Sequence, residues 1–382
     1  MTRWNGYALT PLTDIRGQDT ARRILLSSFN KRRLASTYLF YGLDGQGKWA
    51  MAIALAALVN CEHPVTDDSG VVSDACGTCR NCRQILNYTF PDMYFGLPIP
   101  PHKNDTEALE LNLDYRNKKK AEPYCIISST RQLTIPIAFA REIKRRTAIK
   151  PETGVTRVIL FYQMERMLPG SADSLLKLIE EPPPETVIIL TARDPDNLLP
   201  TIQSRAQKIR FRPLSDDIIA DYLQARHEVD EEKGRFYARL ARGSLGRAIS
   251  LLDDEDQSSL RQVSFLMLKE LCLNDTPSAI GTLQEFINPN NRGQLEEILT
   301  HWQTFFGDLI VLKHGKTPDS IVNIDLTSEL EALTDKFADP DTVSAVVGDL
   351  KQLCLSLRRN VHIRPALAGF AVRFHRYLRQ SA

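Results

Sequence analysis

The 382-residue chain has no apolar run approaching the roughly 20 residues needed to span a bilayer, and its first residues, MTRWNGYALTPLTD, lack the basic start and apolar core of a secretory signal. A cytoplasmic protein without membrane contact is expected. Charge of one sign is not in surplus either: 48 Lys and Arg stand against 47 Asp and Glu, so a globally basic surface is not what would draw the chain to nucleic acid. Any DNA contact is expected to be local or shared with partners. Internal repeats and low-complexity tracts are lacking, and the length suits about two or three domains with separate cores. Without a secretory signal, the seven cysteines do not read as a disulfide framework, and the clustering of three of them points to a metal site.

What is present first is the outline of a phosphate-binding loop. YGLDGQGKWA sets Gly42, Gly45, Gly47 and Lys48 on the G-x-x-x-x-G-K pattern, after the β-prone run STYLFYG and before the apolar helix KWAMAIALAALVNC. The residue after the lysine is Trp49, where a hydroxyl would ligate magnesium, and an indole has no oxygen to offer a hard cation. Upstream, TDIRGQDTARRILLSSFNKRRL predicts an amphipathic helix. Downstream, TRVILFYQM and ETVIILTA are continuous apolar runs of buried parallel-strand type, and AQKIRF predicts a last strand. Between the two apolar runs, SADSLLKLIEEPPP predicts a helix begun by Ser171 and stopped by prolines. Strands alternating with helices imply a parallel sheet covered on both faces.

Residues 98–131 are polar, carry RNKKK and have no clear period; an insertion is expected there, with the charge run as a solvated loop. Past FRPLS the strand signals stop. Helical patterns follow, and a linker, LLDDEDQSS, leads to a region expected to be all-helical.

Cys76, Cys79 and Cys82 form C-x-x-C-x-x-C, with fourteen residues between Cys61 and the first of them. Four thiolates close a tetrahedral structural zinc site and leave no open coordination position for catalysis. His63 is the substitute for Cys61 as the first ligand, and Cys125, Cys272 and Cys354 read as buried free thiols.

The stretches YLFYGLDGQGKWAMAIALAALVNC, CGTCRNC, SLLKLIEEPPPETVIILTARDPDNLLPTIQSRAQKIRF and GSLGRAISLL resemble, in that order, bacterial DNA polymerase III clamp-loader subunits, which are AAA+ proteins. The resemblance covers about Asp14 to Leu252; beyond it, helical character and WQTFFGDLIVLKHG agree. It implies an α/β AAA+ core over 1–213 holding a zinc module (61–82), a small helical lid domain over 214–256 and an all-α collar domain over 257–382. In this family the ATPase subunit (gamma/tau) has an intact phosphate loop, and the delta-prime subunit usually has a degraded one. The ATPase ends its second apolar strand in an Asp-Glu pair that organises magnesium and polarises water. Aligned on RVILF, those positions are Tyr162 and Gln163, and Glu165 would serve only through a bulge that shifts the register.

The family also carries a Ser-Arg-Cys motif whose Arg reaches the nucleotide site of the neighbouring subunit. In TIQSRAQ, Arg205 matches that Arg and Ala206 departs at the Cys. In GSLGRA, Gly246 takes the place of the second sensor Arg, and Arg247 lies about 100° round the helix. The four-Cys module recurs in the family, usually with a shorter first gap. Taken together, the resemblance implies a delta-prime-type subunit that holds ATP weakly or not at all, does not hydrolyse it, and offers Arg205 as a finger in trans. The implied partners are gamma/tau ATPase subunits, the delta subunit, the sliding clamp and primed DNA; the alternative is a gamma/tau-like ATPase with divergent motifs.

Overall fold

A computed structural model describes residues 12–129, 131–147, 149–151, 155–167, 177–253, 255–273, 292–315, 321–358 and 363–379. They form two compact units, one of residues up to 127 with 133–250, the other of 128–132 with 251 onward. The first unit runs α1 (Asp19–Asn30), β1 (Thr37–Tyr41), α2 (Lys48–Val59), β2 (Val65–Thr66), β3 (Val72–Asp74), α3 (Arg80–Leu86), β4 (Met93–Gly96), α4 (Asp105–Ala121), α5 (Ile137–Thr147), β5 (Arg157–Phe161), β6 (Thr186–Ala192) and β7 (Gln207–Arg210). A helix Pro200–Arg205 precedes β7, and helices Asp216–His227, Glu231–Ala241 and Leu245–Asp253 follow it.

Five strands make one parallel sheet in the order β4-β5-β6-β1-β7, and β2 and β3 pair separately as an antiparallel ribbon. Every residue of β5 and β6 is buried, which is why their sequences are apolar without alternation. Strand β1 sits between β6 and β7, where the order reverses. The loop after β1 therefore opens at the switch point on the carboxyl edge of the sheet, where α/β sheets bind ligands. Helix α2 is buried from Lys48 to Leu58 on all sides, as expected of a helix that is apolar all round. The short strand β4 escapes a pattern search because it ends in Gly96, where a Cβ would lie 2.4 Å from the Phe161 ring. Of the helix expected from Ser171, only 177–180 falls within the described residues, and there it is helical.

The segment expected to be a solvated loop is different. Residues 105–121 form α4, begun by Asn104, whose side chain accepts from the Glu107 amide at 2.9 Å while the Glu107 carboxylate accepts from the Lys103 amide at 2.6 Å. Its buried face is Ala108, Asn112, Tyr115 and Lys119. These residues recur at helical spacing, yet only one is aliphatic, so a search for apolar periodicity passes over them. Lys119 of the RNKKK run is 1% exposed rather than solvated.

The second unit is all-helical among its described residues, as expected: Glu255–Leu273, Arg292–Lys313, Thr327–Thr334, Pro340–Arg358 and Ile363–Arg379, with one short 3-10 turn at Ile324–Leu326. Trp302, Phe305, Phe306, Phe370 and Phe374 fill its core, and the Trp302 indole donates to the Ser264 carbonyl at 2.7 Å. Arg261 holds the loop before Thr327 through Asn323 and Asp325, and the Asp308 carboxylate accepts from the Val322 and Asn323 amides. Among the described residues no helix is long and apolar enough to cross a membrane.

Asn104→Ala removes one cap and leaves every other contact of α4. A loss of about 1 kcal/mol is expected, read as a lower urea midpoint of the first unit's unfolding with an unchanged slope.

Candidate functional site

The loop between β1 and α2 has the path of a phosphate loop, with Gly42, Gly45 and Gly47 all at positive φ. Gly47, at φ 93°, starts α2. Lys48, however, does not point outward. Its ammonium donates to the Gly42 and Leu43 carbonyls and lies 3.6 Å from Asp44, and Lys48 is buried. Burial pushes its pKa down, and the nearby Asp44 and Glu165 carboxylates offset part of that.

Two aromatic rings stand beside the loop. Trp49 and Tyr162 meet edge to face with centroids 5.8 Å apart, so the end of β5 and the start of α2 lie together. Phe95 stacks on Trp49 at 5.7 Å, and the Trp49 indole donates to the Tyr88 hydroxyl at 2.7 Å. The Lys119 ammonium lies 4.1 Å from the Tyr162 ring centroid and 5.7 Å from that of Trp49, within cation–π range of both. It donates to the Cys125 carbonyl, and burial drives its pKa down. The Tyr162 hydroxyl is buried and finds no hydrogen-bond partner among the described residues, and burial raises its pKa well above the ordinary value.

Past Tyr162 the chain turns through Gln163 at φ 53°, whose amide donates to the Thr191 hydroxyl at 3.0 Å. Glu165 follows on a 3-10 turn and accepts from the Arg193 amide at 3.0 Å. It therefore ties β5 to β6.

The lid motif touches the loop directly. The Gly246 amide donates to the Gly45 carbonyl at 3.1 Å, and the Ser244 hydroxyl donates to the Asp44 carbonyl at 2.6 Å. A Cβ on Gly246 would lie 2.1 Å from the Tyr124 carbonyl oxygen, and one on Gly45 would lie 2.6 Å from the Gly246 nitrogen. Tyr124 itself is buried, with its ring against Tyr222 of the helix Asp216–His227 at 5.5 Å and its edge facing Gly47. Neither Lys119 nor Tyr124 was among the expected site residues. The signal that could have found them is the pair Asn104 and Glu107, three apart in the manner of a capping box, which announces a helix where the period is silent.

Cys61, Cys76, Cys79 and Cys82 come together, with their sulfurs all within 4.8 Å of one another. Four sulfurs at about 2.3 Å from one ion would stand about 3.8 Å apart, so the group fits a tetrahedral metal with small adjustment. Cys61, at the end of α2, fills the first position in this group, and His63 is outside it. The turn Cys76–Cys79 passes through Gly77 at φ 71°, and backbone amides of Cys76, Thr78, Cys79 and Cys82 point at sulfurs at 3.2–3.4 Å, as donors that favour thiolates do. Burial raises the Cys61 and Cys82 pKa values; for Cys76, burial is outweighed by hydrogen bonds from Thr78 and Cys79, which hold it low. Of the three remaining cysteines, Cys272 and Cys354 are buried and Cys125 is half-buried, and none of them forms a disulfide among the described residues.

Arg205 ends the short helix before β7 and is 40% exposed. Its guanidinium bonds the Thr201 carbonyl at 3.0 Å and pairs with Glu180 at 3.2 Å. Ala206 behind it is buried, as a small packing residue should be.

A parallel sheet of this order, a glycine loop after β1 and a helical segment closing on that loop define an α/β AAA+ protein with a helical C-terminal region. The chain belongs to the family described as "DNA polymerase III, delta subunit", which matches residues 17–215, just over half of it. It is a bacterial clamp-loader subunit of the AAA+ class. Among relatives, it is 29% identical to DNA polymerase III subunit tau of Escherichia coli K12 over 256 residues, 66% of this chain and 34% of that one. It is 23% identical to subunit delta' of the same organism over 327 residues, 85% of this chain and 84% of that one. Against subunit delta' of Pseudomonas aeruginosa it is 32% identical over 171 residues, 45% of this chain and 41% of that one. The chain thus spans about a third of the length of the E. coli tau protein.

Trp49→Thr restores the phosphate-loop consensus but empties a fully enclosed site. The expected result is a loss of about 3–5 kcal/mol in stability by calorimetry, with no ATP turnover gained.

Proposed function

We propose that the chain is the non-hydrolysing, delta-prime-type subunit of the DNA polymerase III clamp loader, and that it helps to place the sliding clamp on primed DNA. The observation that carries this reading is the edge-to-face packing of Trp49 on Tyr162, which fills both metal positions with groups that cannot bind magnesium. Alignment along 84% of the E. coli delta' protein, against 34% of tau, supports the same side of the choice. In this reading residues 214–256 are the lid, and residues 257–382 form a collar that joins gamma/tau and delta subunits. A second reading, a gamma/tau-like ATPase with divergent motifs, draws on the 29% identity to tau; it would need Glu165 as its carboxylate, and Glu165 is engaged with the Arg193 amide. Any ATP turnover by the purified chain would favour it.

Arg205 is the proposed finger. It is exposed, permanently charged and paired with Glu180 at a solvent-accessible site, so an incoming γ-phosphate can compete for it. At the one site it serves, loss of the finger should cost about 10³–10⁵-fold in turnover. In the reconstituted loader, Arg205→Ala should therefore assemble normally yet lower clamp- and DNA-stimulated hydrolysis by that site's share, and Arg205→Lys should rescue poorly because it lacks the planar fork. Wild-type hydrolysis and loading with Arg205→Ala would eliminate the finger.

The four cysteines are proposed to hold structural zinc. Metal analysis of gently purified protein should find about one zinc per chain. Cys79→Ser should lose the metal and lower the melting temperature, because a structural ion contributes folding free energy directly. Zinc-free wild-type protein with unchanged stability would overturn the assignment.

A further inference from the structure

If the chain is a non-hydrolysing subunit, as proposed above, the closed joint between phosphate loop and lid needs an explanation, since in a nucleotide-binding AAA+ site that joint is where the ligand sits. Two features of the 105–126 segment supply one. Lys119 sets an ammonium beside the rings that stand at the metal hydroxyl and metal carboxylate positions, 4.1 Å from the Tyr162 centroid and 5.7 Å from that of Trp49. Tyr124 lies between Gly47 and Gly246, where any added Cβ on Gly246 would run into its carbonyl. The segment is also fastened to the lid, because Glu122 accepts from the Tyr222 hydroxyl at 3.3 Å and faces Arg226 at 3.7 Å and His227 at 3.9 Å.

We propose that residues 105–126 act as a built-in replacement for a nucleoside triphosphate and its divalent cation, with Lys119 in place of the cation and Tyr124 wedged between loop and lid. The joint is then closed by the chain itself, and the subunit keeps one core-to-lid geometry whatever the ATP concentration. The chemistry of the substitution is consistent. A divalent ion needs oxygen ligands, whereas an ammonium over aromatic faces needs only π-density and one carbonyl, which Trp49, Tyr162 and Cys125 provide. Lys48 needs no phosphate, having the Gly42 and Leu43 carbonyls as acceptors.

Amide hydrogen exchange on the full-length chain, with and without Mg-ATP, tests this. Expected is slow exchange across Gly45–Lys48 and Ser244–Arg247 in the nucleotide-free protein, unchanged by Mg-ATP. Lys119→Ala and, separately, Tyr124→Gly should speed exchange of those two segments by about an order of magnitude while the amides of β1 and β6 stay protected. Rapid exchange in the wild type that slows on adding Mg-ATP would overturn the proposal, as would variants that fold and exchange like wild type. If both variants fail to fold, the wild-type comparison alone decides. The outcome is separable from the functional reading, which is tested by ATP turnover of the purified chain.

Discussion

Where Gly45 meets Gly246, two backbones approach closely enough for one hydrogen bond of 3.1 Å, and neither position has room for a Cβ. That contact sets the arrangement of the first unit. It closes the helical segment after β7 onto the loop after β1, and it brings Ser244 onto the Asp44 carbonyl. A side chain at Gly246 would have to pass through the Tyr124 carbonyl, so the glycine there and the placement of Tyr124 are two sides of one packing solution.

The same logic links the neighbouring residues. Trp49 and Tyr162 present apolar surface beside the loop, which must be covered. Helix α4 covers it, and it does so with a lysine whose ammonium faces two rings. Buried charge is costly unless paired, and here a backbone carbonyl and π-faces share the task. The aromatic cluster, the internal turn of Lys48 and the helix within 98–131 therefore depend on one another.

By contrast, the cysteine cluster and Arg205 lie outside that closed joint. The four sulfurs are brought together by the end of α2, the turn through Gly77 and the start of α3, all short-range features close in the chain. Arg205 projects from the end of its helix, with β7 at the sheet edge next in the chain, and pairs with an exposed carboxylate. A subunit whose own centre is filled can still carry both, because neither depends on a ligand in the phosphate loop.

Local sequence by itself determined the parallel sheet, the glycine loop and the cysteine spacing. Each is written in contiguous residues, as apolar runs in β5 and β6, as Gly42 to Lys48, and as C-x-x-C-x-x-C. It also placed Tyr162 and Gln163 at the strand end, which the contact with Trp49 matches. What only the tertiary structure decided is the fate of residues 98–131 and of the loop they cover. The buried face of α4 holds Asn112, Tyr115 and Lys119 rather than aliphatic residues, so its period is invisible until the partner surface is known. A lysine is read as solvated when its neighbours in sequence are charged. Whether it is buried depends on which carbonyl and which rings lie across the fold, and those come from Cys125, Trp49 and Tyr162, the last two of which lie far from Lys119 in the chain.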